Sequence, residues 1–538
     1  MNGTVGLRMK NPEFLEYPGA AGTWTLSALE ARDLAAAIGR EERLGTSPSD
    51  IIRRVGSGIE EGTLVFRPFP GFADPRVLAF KSIIGSRDLY WISTDEGRFI
   101  LSDRFAELIP ELSPHAARLT EGRAVHFLLG CNLRGDWTLV EAIRRVGHGE
   151  MVLFTPGEKE PERRRIGRFS WNPAIEDEGE ALEVLERALE KVSSLIARRE
   201  NSALMFSGGV DSTLLWAFLR IPALTGFIDT EPAERDVAVA VAERHGIPHG
   251  LLKLEESKFL DDFRKALADA GMPFIVSNYQ MLYYSKAFGR EFSHLVSGEL
   301  ADSMWGISHI TRIFDGSGGG EYARAIAESP LSPRGYGIRV NLMLPDDLAL
   351  LSGIFGDETI LGLLGHNLDY VLECLDPAVP LDRDFRAGHA DLGSLAFILN
   401  GCWRSNYRQA GYVHGVGFSF PFETLSMVRA ALSLTLPRRI LSKEGVRKPL
   451  IRRMLAKRLP DAVLADKSGS GLPRTRYCRE GPFRGFFRDR PIPAFWPAER
   501  ADLLVNPTWE SSSLVMKCIS LELWADMFLR KRGLGKKP

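Results

Sequence analysis

Cysteine is scarce in this 538-residue chain: Cys131, Cys374, Cys402, Cys478 and Cys518 are odd in number, widely scattered and without a C-x-x-C pair. That pattern argues against a disulfide framework or a structural zinc site, and it fits a reducing compartment. Charge of one sign is lacking too. A net charge of -1 supplies no global pull toward nucleic acid or an anionic membrane, so a small molecule or a peptide is the expected partner. No apolar run is long enough to span a bilayer, and the start "MNGTVGLRMKNPEFLEYPG" has no apolar stretch of signal-peptide length. A cytoplasmic location is expected.

What is present is a globular composition, with 44% apolar and 25% charged residues. The length exceeds one ordinary core, so about two or three domains are expected. Between residues 62 and 155 the runs "TLVFRPF", "VLAFKSII", "DLYWIST", "RFILSD" and "EMVLF" read as strands of a β-rich or α+β domain. The polar stretch Thr155 to Trp171 reads as a linker. The helical spacing of "DEGEALEVLERALEKVSSLIARR" leads into "ALMFS", "LTGFID", "HGLLKL" and "HLVSG", which alternate with helical segments. Such alternation predicts a doubly wound parallel sheet with ligands at the carboxyl ends of its strands. From about Asn341 the pattern becomes mainly helical, and "DGSGGGE" at 315 to 321 reads as a mobile loop.

The stretch "SGGVDST", Ser207 to Thr213, lies between an apolar strand and an apolar helix. At such a turn the first helical N–H groups lack partners and the helix dipole favours an anion, while glycine lets the backbone approach it. Ser207, Ser212 and Thr213 offer hydroxyl donors. Asp211 would be repelled by bare phosphate and fits if it holds Mg2+ against the phosphates. The turn lacks the G-x-x-x-x-G-K-[ST] pattern and its lysine, so it is not a Walker loop. A second strand and turn, "LVSGELADSMWG", brings Glu299 and Asp302 to a strand end, where Asp302 could equally be a helix cap. In "KPLIRRMLAKRLPDAVLADKSGSGLP" the basic residues Lys448, Arg452 and Arg453 read as a solvated helix face. Lys467, alone in a glycine-serine turn, could close over polyphosphate and stabilise charge on the leaving group.

"SGGVDST" resembles the PP-loop of the ATP pyrophosphatases, and the chain as a whole resembles the asparagine synthetase family. The resemblance runs in order through "RDVAVAVAERHGIPHGLLKL", the stretch ending in "LVSGELADSMWG", "GYVHGVGFSFPFETLSMVRAALSLTLP", "KPLIRRML" and "LPDAVLADKSGSGLP". It implies ATP and Mg2+ as cofactors and a reaction in which a substrate carboxylate attacks the α-phosphorus, giving an acyl-adenylate. It implies pyrophosphate and Mg2+ binding by Ser207, Gly208, Gly209, Asp211, Ser212 and Thr213, with Asp302 on the same metal. Glu299 would lie beside the acyl-adenylate as a catalytic group, and Lys467 would face the phosphates. Leu300 stands where the family has glycine and Ser303 where it has glutamate, which suggests a rebuilt substrate-facing turn.

The resemblance divides the chain into residues 1–165, similar to a class II (Ntn) glutaminase domain in "SRDLYWISTDEGRFILSDRFAEL" and "TLVEAIRRVGHGEMVLF", and residues 172–538, a synthetase domain. That glutaminase uses a cysteine at position 2 as nucleophile. Here Asn2 stands there, no cysteine precedes Cys131, and asparagine supplies no thiolate. The domain is therefore expected to be degenerate and structural. The amine must then come from elsewhere, as in β-lactam synthetases and lasso-peptide cyclases, whose substrates carry their own amine. An intramolecular cyclase is the expected function, with a peptide-presenting partner as a further expectation. The alternatives are an ammonia-dependent asparagine synthetase and a non-catalytic nucleotide-binding scaffold.

Overall fold

The computed structural model describes residues 5–130, 133–231, 233–274, 279–306, 345–377, 385–401, 403–435, 448–460 and 473–530. Two sheets form its N-terminal part. One has the order β1 (Val5–Arg8), β7 (Phe99–Ser102), β6 (Tyr90–Ser93) and β8 (Arg144–Arg145). The other runs β10 (Glu162–Arg165), β9 (Glu150–Phe154), β5 (Val77–Lys81), β4 (Gly62–Pro68), β3 (Gly22–Ala28) and β2 (Leu15–Pro18), antiparallel throughout.

Side-chain alternation along each strand sorts this part into layers. Val65, Val77, Ala79, Val152 and Phe154 cluster with Leu89 and with Trp91, Phe99 and Leu101 of the other sheet. Their neighbours Leu64, Phe66, Leu78, Phe80, Met151 and Leu153 face the opposite way. There they meet Leu34 and Ile38 of α1 (Ala31–Arg43) and Ile51 and Ile52 of α2 (Pro48–Gly56).

The stretch expected to be a linker contains β10, whose register Glu162 to Leu153 through Arg165 to Glu150 makes it an edge strand. Its charged sequence hides a strand because an edge strand needs only backbone pairing on one side, and charge there discourages further pairing. Arg163 is tied to Glu150 and Asp136, so the segment is anchored rather than free.

The following helix α3 (Glu178–Ala197) is capped by Asp177, whose side chain accepts from the Glu180 N–H. It buries Leu185, Leu189, Val192 and Ile196, spaced at helical period, and leads into the second architecture. This is a five-stranded parallel sheet in the order β13 (His249–Leu254), β12 (Ala223–Ile228), β11 (Ser202–Met205), β14 (His294–Ser297) and β15 (Gly417–Ser419). The doubly wound expectation is met, with β15 as a fifth strand supplied from the mainly helical C-terminal part. Chain order runs outward from β11 in one direction and then reverses to β14. Between those two strands lies the crevice where ligands of such sheets bind. Among the described residues no helix is long and apolar enough to cross a membrane. Cys374, Cys478 and Cys518 are buried free thiols.

Candidate active site

The parallel register of Ser202 with His294 through Met205 with Ser297 sets the ends of β11 and β14 side by side. The turns that follow therefore meet: a Cβ on Gly298 would lie 3.5 Å from both the Asp211 Cβ and the Ser212 N. Gly209 caps α4 (Val210–Leu219) with extended dihedrals, leaving the first helical N–H groups directed at the turn. Gly208 has φ +69°, and a Cβ there would lie 3.0 Å from the Ala238 Cα and the Val237 carbonyl oxygen. Only glycine makes this turn without strain. The Ser207 and Ser212 hydroxyls brace it, the Ser207 N–H donating to Ser212 Oγ at 3.3 Å and the Gly209 N–H to Ser207 Oγ at 3.3 Å. The Thr213 hydroxyl is buried without a hydrogen-bond partner.

Asp211 lies in the first turn of α4 and Asp302 in the short helix α5 (Ala301–Trp305) after β14. Between them sits Lys448, its Nζ 2.5 Å from Asp211 Oδ2 and 2.6 Å from Asp302 Oδ1. The solvated-face expectation for Lys448 is overturned. Lys448 is the left-handed residue (φ +56°) that precedes the helix Pro449–Arg458, and the Pro449 ring fixes the first turn of that helix. Its aliphatic stem lies over Gly306, where a Cβ would fall 2.3 Å from the Lys448 Cγ. The neighbours fit the expectation better: Arg453 is half exposed and pairs with Glu178.

Burial raises the Asp211 carboxyl, and Asp302 adds to the rise while Lys448 opposes it. The same two carboxylates hold the Lys448 ammonium above its ordinary value against the effect of its own burial. Asp211 Oδ1 is buried with no hydrogen-bond partner. That orphaned oxygen, aligned with a second carboxylate, fits Mg2+, a hard cation held by one or two carboxylates together with substrate phosphates. Among the described residues no group of three or more His, Cys, Asp or Glu side chains could hold a metal ion.

Glu299 stands between the strand end and α5, its N–H donating to Ser297 Oγ at 3.3 Å. Desolvation is the largest influence on its carboxyl and raises it to about 7. Asp302 and Asp211 push the same way; Arg404 and a hydrogen bond from Trp403 oppose them. Leu300 holds the left-handed conformation, φ +73°, and is buried. The backbone at this position is one that glycine adopts without strain. A leucine has been set into it at a cost of about 1–3 kcal/mol.

The structure brings the turn Ser207, Gly208, Gly209, Asp211 and Ser212 beside the turn that carries Glu299 and Asp302. Lys467 and the 315 to 321 loop lie outside the described residues. Lys448, Trp403 and Arg404 were missed. The signal available for Lys448 was the lysine-proline pair, since proline at a helix start holds the preceding residue at a defined position.

The parallel sheet thus brings a glycine turn, two carboxylates and a lysine together at its switch point, a donor set chemically suited to phosphate. Residues 182–313 match the asparagine synthase family model. The match includes the glycine turn, Glu299 and Asp302. No curated protein matches the chain.

Proposed function

We propose that the protein adenylates a substrate carboxylate with ATP and lets an amine of the same substrate attack it, closing a ring by an amide bond. Macrolactam formation on a lasso-type peptide or β-lactam formation are the products this reading favours. One observation carries it: Asp211, Asp302 and Lys448 converge at the glycine turn while Glu299, a carboxyl raised to about 7, stands on the adjoining strand end.

In the first step a carboxylate oxygen bonds to the α-phosphorus and the bond from that phosphorus to the bridging oxygen breaks, releasing pyrophosphate. Gly209, the start of α4 and the Ser207 and Ser212 hydroxyls receive the departing phosphates. Mg2+, when held by Asp211 and Asp302, neutralises phosphate charge. Lys448 adds a positive charge at the same place. In the second step the amine nitrogen bonds to the acyl carbon and the bond to AMP breaks. Glu299 takes the amine proton, a task for which a carboxyl near 7 is matched at neutral pH. Tethering amine and adenylate in one molecule makes this step unimolecular, an effect worth about 7–11 kcal/mol in good geometry.

Residues 1–165 are proposed as a domain without glutamine hydrolysis and residues 172–538 as the synthetase, acting in the cytoplasm with a peptide-presenting partner. The family match and the presence of Glu299 favour a second reading, ammonia-dependent synthesis of asparagine. Pyrophosphate release from ATP and Mg2+ separates the readings. Release on aspartate that requires ammonium indicates asparagine synthesis. Release on Asp- or Glu-containing peptides without added amine indicates cyclisation, and failure of ATP to bind leaves only a scaffold.

A further inference from the structure

The ladder between β11 and β12 stops just before the glycine turn, and side chains take over from it. Its last pair is Met205 with Leu224, and the Phe206 N–H still donates to the Leu224 carbonyl at 2.8 Å. In a continued parallel register the Gly226 N–H would next donate to the Phe206 carbonyl. A side chain binds each of these two groups. The Gly226 N–H donates to the hydroxyl of Tyr284, in the helix Tyr279–Phe288, and that hydroxyl donates in turn to the Leu224 carbonyl at 3.4 Å. A Cβ on Gly226 would lie 2.9 Å from the Tyr284 ring, so glycine leaves the room this contact needs. The Phe206 carbonyl accepts from the hydroxyl of Thr225, a buried residue.

Thr225 has one hydroxyl proton, and the Phe206 carbonyl, which can only accept, receives it. His249 Nε2, 2.7 Å from the same hydroxyl oxygen, is therefore the donor of that pair and carries a proton. The His249 ring also meets the Phe206 ring edge-on, with centroids 5.9 Å apart. A relay thus crosses the sheet from β13 through β12 to the last residue before the turn.

Both ends of the peptide between Phe206 and Ser207 are held by side chains, the carbonyl by Thr225 and the N–H by Ser212 Oγ at 3.3 Å. A buried carbonyl that loses its donor is costly and turns toward whatever donor or water it can reach. Here the nearest opening is the turn itself, where a carbonyl oxygen would repel the anion that the helix start attracts.

We propose that Thr225 and His249 are positioning residues for the phosphate-binding turn, latching the Phe206 carbonyl away from the anion so that the turn offers donors alone. The role in catalysis rests on the adenylation reading; the relay itself does not.

Two measurements on the full chain test it: binding of inorganic pyrophosphate with Mg2+ by calorimetry, and amide hydrogen exchange of residues 203–214 read by mass spectrometry. Thr225→Val keeps the volume and removes the hydroxyl, whereas Thr225→Ser keeps the hydroxyl and removes a methyl group. Thr225→Val is expected to bind pyrophosphate about tenfold more weakly, the worth of one hydrogen bond, and to exchange faster across 203–214. Thr225→Ser binds and exchanges as the wild type does, even if it melts lower. His249→Leu weakens binding and speeds exchange in the same direction, and His249→Gln, whose amide supplies a donor near the place of Nε2, restores most of both. The His249 pair carries the test alone if Thr225→Val does not fold. Wild-type binding and exchange in folded Thr225→Val or His249→Leu overturns the proposal. So does equal loss in Thr225→Ser and Thr225→Val, since packing would then explain the effect. A wild type that binds neither pyrophosphate nor ATP refutes the adenylation reading, and the exchange rates then decide whether Thr225 and His249 hold the turn.

Discussion

Replacing Lys448 by methionine keeps the stem over Gly306 and removes only the charge. The ammonium stands 2.5 Å from Asp211 and 2.6 Å from Asp302. The side chains of Lys448 and Asp211 are 10% and 21% exposed, whereas that of Asp302 is 75% exposed, so the two pairs differ in weight. Breaking a fully buried pair costs about 3–5 kcal/mol, and an exposed pair contributes about 0–1 kcal/mol. Asp211 is not fully enclosed, so about 2–3 kcal/mol is expected for Lys448→Met without metal. Two carboxylates then face one another across the vacated position. A divalent cation binds that arrangement better than it binds the wild-type site, where the lysine competes. Thermal unfolding with and without Mg2+ is the assay. The wild type gains little from Mg2+ in the absence of nucleotide; Lys448→Met melts several degrees lower and recovers most of the loss on adding Mg2+. A variant as stable as the wild type and indifferent to Mg2+ would refute the reasoning, because it would show that the carboxylates carry no electrostatic strain.

Other outcomes follow from the same geometry. Asp211→Asn lowers pyrophosphate release by at least about 100-fold with circular dichroism unchanged, since it removes charge stabilisation at the leaving group. Gly208→Ala forces a Cβ to 3.0 Å from Ala238 and Val237 atoms at φ +69°; destabilisation of about 1–3 kcal/mol and loss of ATP binding by calorimetry are expected. Gly306→Ala drives a Cβ against the Lys448 stem and should reduce kcat more than it raises KM, checked by steady-state pyrophosphate assay. Glu299 has a folded pKa raised by burial from 4.5 to about 7. Its favourable share of stability is full below pH 4.5 and is lost as pH rises through about 7. Glu299→Gln is therefore more stable than the wild type above pH 7 and nearly equal to it near pH 4.5, which denaturant titration at the two pH values measures.

The residue order by itself determined the glycine turn, because strand, glycine pair and helix are adjacent in the chain and their backbone needs are local. It likewise marked β4, β5, β6, β7 and β9 by their apolar runs, and the parallel strands β11 to β14 by their alternation with helices. Asp302 and Glu299 were legible as the same kind of turn after a second strand. Tertiary structure decided what local pattern cannot encode. Arginines in β10 conceal an edge strand because its stability comes from the Glu150–Phe154 backbone beside it. Lys448 reads as one more cation on a basic helix; its burial depends on a missing side chain at Gly306 and on two aspartates remote in sequence. Arg404 gives no local sign of its burial either, since its partner Glu423 is itself held by Ser86 from a remote part of the chain. Charge pairs of this kind are energetically large only when water is excluded, and only the packed fold excludes it.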